Sequence, residues 1–167
     1  MMERQLVVHP FEPIYNEYSK ILILGSLPSA VSRQKEFYYG HPQNRFWKVI
    51  AAVTNQSVPH SIEEKRHLLL SKGIALWDVI GRCEISGSSD ASIKNPQVND
   101  IDGLIRKTNI QAIYTNGYKA YQLYTRFCEQ KVGIKAAQLP STSPANASFD
   151  LDRLIEAWSI LRVKLDE

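Results

Sequence analysis

Lys20-Ile-Leu-Ile-Leu-Gly25 is a continuous apolar run that stops on a glycine, and it reads as a strand buried on both faces. Three further strands are expected at Ile74-Ala-Leu-Trp-Asp78, Gln111-Ala-Ile-Tyr-Thr115 and, shorter, Lys135 to Leu139. Between them the apolar spacing turns helical. Asn44 to Val53 places Phe46, Trp47, Val49, Ile50 and Val53 on one side, and Ser61 opens a second helix with Glu64 three residues on, as in a capping box. Asp100 to Lys107 and Tyr118 to Glu129 read as further helices. Asp150 to Lys164 reads as the last, with Leu151, Leu154, Ile155, Trp158 and Leu161 on one face. This alternation predicts an α/β fold: a three-layer α/β/α sandwich around a central, mainly parallel four-stranded sheet. Ligands bind such sheets outside the carboxyl ends of the strands, which makes Gly25–Ser29, Trp77–Arg82, Asn116–Tyr118 and Leu139–Asn146 the candidate site loops. Glu84 to Asn99, rich in Ser, Gly and Asp, reads as a loop of functional length, with Asp90 in reach of the site.

The 167 residues suit one domain, 1–167, able to bury about two-thirds of its unfolded surface. With 44% apolar and 22% charged residues the composition is globular, which excludes disorder, coiled coil and a disulfide scaffold. No apolar run approaches the roughly 20 residues of a membrane span. The start, MMERQLVVHPFEP, is not a signal peptide. Cys83 and Cys128 form no CxxC pair, so a four-cysteine metal centre is excluded and reduced thiols in the cytoplasm are expected. The net charge of +3 permits nucleic-acid binding without demanding it. Basic residues are spread out; from 101 to 140, Arg106, Lys107, Lys119, Arg126, Lys131 and Lys135 face only Asp102 and Glu129, which fits a solvated face or a phosphate-facing flank.

Three segments carry candidate chemistry. Gly25-Ser-Leu-Pro-Ser29 offers close backbone approach and two hydroxyls, or is simply a turn leaving a strand; it is neither a P-loop nor a dinucleotide fingerprint. Phe37-Tyr-Tyr-Gly-His-Pro-Gln-Asn-Arg-Phe-Trp47 crowds aromatics, an imidazole and an amide ahead of a helix. Phe46 and Trp47 fit the core, His41 a turn and Asn44 a helix cap, yet the same groups are what a nucleobase pocket needs. Leu139-Pro-Ser-Thr-Ser-Pro-Ala-Asn146 is a stiff loop displaying three hydroxyls and an amide, suited to gripping phosphates or to rigid connection alone.

His41-Pro-Gln-Asn-Arg-Phe-Trp-Lys-Val-Ile50 closely resembles the HPxNRFWKV segment of the mismatch-specific uracil-DNA glycosylases. Gly25–Ser29 sits where that superfamily keeps its first motif, and Leu139–Asn146 where it keeps its second, the loop that enters DNA. Order, spacing and strand–helix alternation agree over most of the chain. Within the superfamily the sequence is most similar to the hypoxanthine (deoxyinosine) DNA glycosylase branch, through GSxPS, YYxHPxNxFW, LPSTSPAN and Ile93 to Pro96. Two departures stand out. The first motif lacks the Asp or Asn that orients the attacking water, and the second-motif histidine is replaced near Ser141.

The resemblance implies a monofunctional glycosylase of base excision repair that flips a deaminated base out of DNA and hydrolyses its N-glycosidic bond. It implies catalytic roles for Asn44, whose side-chain carbonyl orients the water, Ser26 and His41. Base-binding roles fall to Gly25, Leu27, Tyr39, Phe46 and Asn116. DNA-binding roles fall to Ser29, Ser141, Thr142, Ser143, Pro144, Ala145 and Asn146. Ser141 and Ser143 would hold phosphates, and Thr142 to Ala145 would fill the gap left by the flipped nucleotide. No metal and no cofactor are called for, no lysine sits in the motifs for a Schiff base, and a monomer is the default. The rival readings are an inactive lesion- or DNA-binding module of the same fold, a nucleoside hydrolase, for which only Asp78 supplies an acid at the strand ends, and an unrelated α/β domain.

Overall fold

The computed structural model describes residues 5–9, 12–27, 32–33, 37–85 and 93–167. Among the described residues, seven strands run in chain order: β1 (Gln5–Val8), β2 (Ile21–Gly25), β3 (Ile74–Asp78), β4 (Ile80–Ile85), β5 (Lys94–Val98), β6 (Ala112–Asn116) and β7 (Ala136–Leu139). The helices include α1 (Phe46–Val53), α2 (Ile62–Ser71), α3 (Ile101–Arg106), α4 (Tyr118–Phe127), α5 (Glu129–Val132), α6 (Leu151–Trp158) and α7 (Leu161–Leu165).

The four strands expected from the sequence form one sheet in the order β3-β2-β6-β7, every neighbouring pair parallel. β2 is buried along its whole length, which is why it carries no alternating polar residue. Its side chains alternate between two cores. Ile21 and Ile23 meet α1, α2, α6 and α7 through Phe46, Ile50, Leu69, Leu154, Trp158 and Leu161. Leu22 and Leu24 meet the opposite layer, through Ile101, Leu104, Leu123 and Tyr124 of α3 and α4 and through Val79, Ile80, Cys83 and Ile85. Helices therefore cover both faces, as expected.

Three boundaries differ from the sequence reading. The stretch 84–99 is not all loop: β5 pairs antiparallel with β4, and β1 pairs on the other side of β4, giving a second sheet in the order β1-β4-β5. β5 reads Lys-Asn-Pro-Gln-Val, polar and interrupted by Pro96, which a sheet tolerates only at an edge. Asp90 lies outside the described residues. The final helix is two, because the Ser159 hydroxyl bonds back to the Ile155 carbonyl at 2.6 Å and the chain turns there. Arg162 then caps the end of α1, donating from Nε to the Val53 carbonyl at 2.9 Å and from Nη2 to Ala52 at 3.2 Å. Likewise the helix expected over 118–129 ends at Phe127, and α5 restarts after Cys128. The α2 cap is as expected: Ser61 Oγ accepts from the Glu64 amide at 3.0 Å.

Candidate active site

In chain order the main sheet runs second, first, third, fourth, so its topological switch point lies between β2 and β6. Gly25 closes β2 and Asn116 closes β6 at that crevice. The two segments richest in polar side chains meet there. Asn44 Oδ1 accepts from the Phe46 amide at 2.9 Å and from the Thr142 hydroxyl at 2.8 Å. Thr142 in turn gives its amide to Asn116 Oδ1 and receives Asn116 Nδ2–H on its hydroxyl oxygen, both at 3.0 Å. A backbone N–H can only donate, so Phe46 and Thr142 fix which end of each amide is oxygen. The relay therefore runs Asn116 Nδ2–H to Thr142 Oγ1–H to Asn44 Oδ1. Both acceptor positions of the Asn44 carbonyl are filled, so the water expected there has no lone pair left to bind. Its Nδ2 makes no hydrogen bond among the described residues. Asn116, expected against the base, has both ends committed to Thr142. Thr142, expected to enter DNA, is fully buried and anchors the loop instead.

Arg45 holds the rest of that loop. It donates to the Thr142 carbonyl from its own amide at 3.1 Å and from Nε at 3.4 Å. Its Nη2 reaches the carbonyls of Ser143 at 2.7 Å and Asn146 at 3.2 Å, and Nη1 reaches that of Phe149. A rigid planar fork can serve several carbonyls at once. Asn146 Nδ2 adds a bond to the Ser141 carbonyl at 3.0 Å. Ser141 Oγ accepts from the Ser143 amide and Ser143 Oγ from the Ala145 amide, both at 3.1 Å, which leaves each hydroxyl proton to donate. Pro144 and Ala145 are exposed at the tip. Gly117, with φ of 92°, lies under the loop, and a Cβ there would come within 3.2 Å of Ser141 Cβ.

On the other side of the crevice Tyr39 stacks on Phe46 with ring centroids 4.1 Å apart. Its φ of 51° is a left-handed conformation costing about 1–3 kcal/mol, kept only where the surroundings fix it. Phe46 is fully buried, so it backs Tyr39 and forms core, not pocket surface. Gly25 is required by close approach: a Cβ there would lie 2.3 Å from Asp78 Oδ1 and 2.9 Å from Tyr39 Oη. Asp78 Oδ2 lies 2.8 Å from His9 Nε2. The hydroxyl of Tyr38 donates to the Glu12 carbonyl at 2.9 Å, and burial first, then the Asp78 charge, pushes its pKa far up. Ser26 is buried and its carbonyl receives the Ile80 amide at 3.0 Å, while Leu27 packs on the second core. His41 Nδ1 accepts from the Gln43 amide at 3.1 Å, the turn role foreseen for it, so a neutral ring carries its proton on Nε2. Ser29 lies outside the described residues.

The family model of the uracil DNA glycosylase superfamily matches residues 12–162. The chain belongs to that superfamily. A hypoxanthine DNA glycosylase from Methanosarcina acetivorans is 34% identical over 161 residues, covering 94% of this chain and 99% of the relative. Another from Methanosarcina barkeri is 33% identical over 140 residues, covering 81% and 86%. The solution NMR structure of a candidate uracil DNA glycosylase from Methanosarcina acetivorans superposes with a TM-score of 0.83 at 33% identity, covering 98% of this chain and 100% of that one. Both named relatives carry the name of the branch that LPSTSPAN resembles. This glycosylase is thus an enzyme whose substrate is DNA. No helix among the described residues is long and apolar enough to cross a membrane.

Two residues that shape the candidate site carry no signal in the sequence. Arg45 stands between a capping Asn and a core Phe, a position that gives no sign of partners about 100 residues away. His9 breaks off the short apolar stretch Leu6-Val-Val8, and nothing local links it to Asp78.

Proposed function

We propose that this glycosylase hydrolyses the N-glycosidic bond of a deaminated base in DNA, hypoxanthine foremost and uracil next, and leaves an abasic site. The observation that carries the reading is the Asn116–Thr142–Asn44 relay, which joins the HPQNRFW and LPSTSPAN segments at the switch point of the sheet. The names of the Methanosarcina relatives support hypoxanthine as the first base to test.

The bond breaks through an oxocarbenium-like sugar, with negative charge leaving on the base. The nucleotide must leave the stack first. Tyr39, held flat against Phe46, offers the stacking face. The unbonded Asn44 Nδ2–H group donates to the departing base, a neutral donor aimed where charge develops. The hydroxyl protons of Ser141 and Ser143 donate to flanking phosphates, and Pro144 and Ala145 occupy the space the nucleotide vacates. His41 Nε2–H is a further donor at the rim. Hypoxanthine and uracil both depart as delocalised anions, so no strong acid is called for. The enzyme acts as a monomer in the cytoplasm, in base excision repair.

The test is cleavage of labelled duplexes carrying a single deoxyinosine or deoxyuridine, with alkali to reveal abasic sites. Wild type should cut at deoxyinosine, and Asn44→Ala should lose about 100-fold in rate or more while still shifting the DNA in a gel. Cutting at deoxyuridine alone would move the base preference. Binding without any cutting, by folded protein, would replace the enzyme with a lesion-binding module.

A further inference from the structure

The first motif of this glycosylase has no carboxylate, yet one lies against it. Asp78 ends β3, and its ladder partner is Gly25, the end of β2. The side chains of Asp78 and His9 each keep only 4% of their surface exposed and meet at 2.8 Å. A carboxylate only accepts, so His9 carries a proton on Nε2. That bond occupies Oδ2. Oδ1 is turned toward Gly25 and Tyr39, in the crevice where the first motif begins. The other ion pairs among the described residues, Arg106–Asp102 and Lys164–Glu167, are far more exposed and lie on the helices α3 and α7 or beyond.

A charge buried in this way costs stability unless its geometry recovers it. Docking of the N-terminal strand does not need the pair. β1 is already laddered to β4 from Gln5 to Val8, and the His9 amide continues the contact to the Gly81 carbonyl at 2.7 Å. The Asn44 carbonyl, meanwhile, is filled. A water under the sugar therefore needs another acceptor, and among the described residues Asp78 Oδ1 lies against Gly25, where the first motif begins.

We propose that Asp78 is the catalytic carboxylate of this site and His9 its positioning residue. The assignment rests on the glycosylase reading above. In the step, the oxygen of the attacking water bonds to C1′. The C1′–N bond breaks and its electron pair leaves on the base. The proton of the water passes to the Asp78 carboxylate, and the base anion takes a proton from solvent. His9 keeps Oδ2 bonded so that Oδ1 holds one orientation, and the carboxylate faces the positive charge growing on the sugar. Among the described residues, the titratable groups around Asp78 are His9, just after β1, and Tyr38 and Tyr39 from the segment before α1. Glu12 and Arg66 act on Tyr38 more weakly than burial and Asp78 do.

The test is the single-turnover rate on a deoxyinosine duplex from about pH 5 to 9, for wild type, Asp78→Asn and His9→Gln, with DNA affinity and thermal unfolding measured alongside. Asp78→Asn should slow the step about 100-fold or more while keeping affinity within a few-fold. His9→Gln can still donate one N–H to Oδ2; it should slow the step less and change the shape of the pH profile, with affinity unmoved. A folded Asp78→Asn enzyme that cuts at the wild-type rate, or that loses only affinity, overturns the assignment. If Asp78→Asn fails to fold, an unchanged rate and pH profile in His9→Gln overturn it. Wild type that binds but never cuts would bring down the glycosylase reading itself, and this assignment with it.

Discussion

Thr142 has a short side chain with three obligations. Its hydroxyl gives to Asn44 and receives from Asn116, and its amide gives to Asn116, all in a fully buried position. Removing the hydroxyl without changing the shape isolates the relay. Thr142→Val should leave Asn116 Nδ2 without its acceptor and cost about 1–3 kcal/mol in urea unfolding. It should also slow cleavage more than it weakens DNA binding, because Asn44 loses the contact that orients its amide. Thr142→Ser should restore both. A Val variant with wild-type rate would reduce the relay to scaffolding. At this scale the sequence was half legible. The residue types were in view, but Thr142 and Asn116 were read as ligand contacts, since nothing in a linear string reveals which hydroxyls a fold will consume internally.

Among the elements, the 139–149 loop is the one whose order is supplied from elsewhere. It has few regular backbone bonds of its own, and Arg45, just ahead of α1, serves the carbonyls of Thr142, Ser143, Asn146 and Phe149. Trp158 of α6 adds a bond from Nε1 to the Pro140 carbonyl at 2.9 Å. Arg45→Lys keeps the charge and loses the fork, so it should not substitute. Hydrogen exchange should quicken across residues 141–149 while β2 and β6 stay protected, and cleavage should fall about tenfold or more. Unchanged exchange in that loop would show that its two prolines and serine turns suffice. The strands and helices were readable because apolar spacing is local. The β1-β4-β5 sheet was not, because β5 is a polar edge strand whose only strand-like property is its partner.

For the whole molecule, burial where α4 meets the sheet sets a pH limit. Cys128 packs in the second core, and burial pushes its thiol from 9.0 up to about 11; Tyr124, donating to the Ile134 carbonyl, is raised for the same reason. In the unfolded chain the thiol loses its proton near its ordinary value, while in the fold it keeps it. Below about pH 9 this preference is fully present, and it is lost as pH rises toward about 11. Urea midpoints should therefore fall between those values, and Cys128→Ala should flatten part of the slope. A constant midpoint across that window would mean that neither group is held protonated by the fold.

The four-stranded parallel sheet, the helices on both faces, the switch-point loops and the superfamily are all legible in the string, because apolar periodicity and three ordered motifs are local properties. What those motifs do for one another is set by the folded chain. It gave the Asn44 carbonyl to Thr142, set Phe46 behind Tyr39, tied the second motif to Arg45, and brought His9 from one end of the chain onto Asp78. Hydrogen bonds between residues about 70 to 100 positions apart leave no local pattern, since either partner alone is an ordinary polar residue. Their pairing exists only once hydrophobic burial has closed the chain around them.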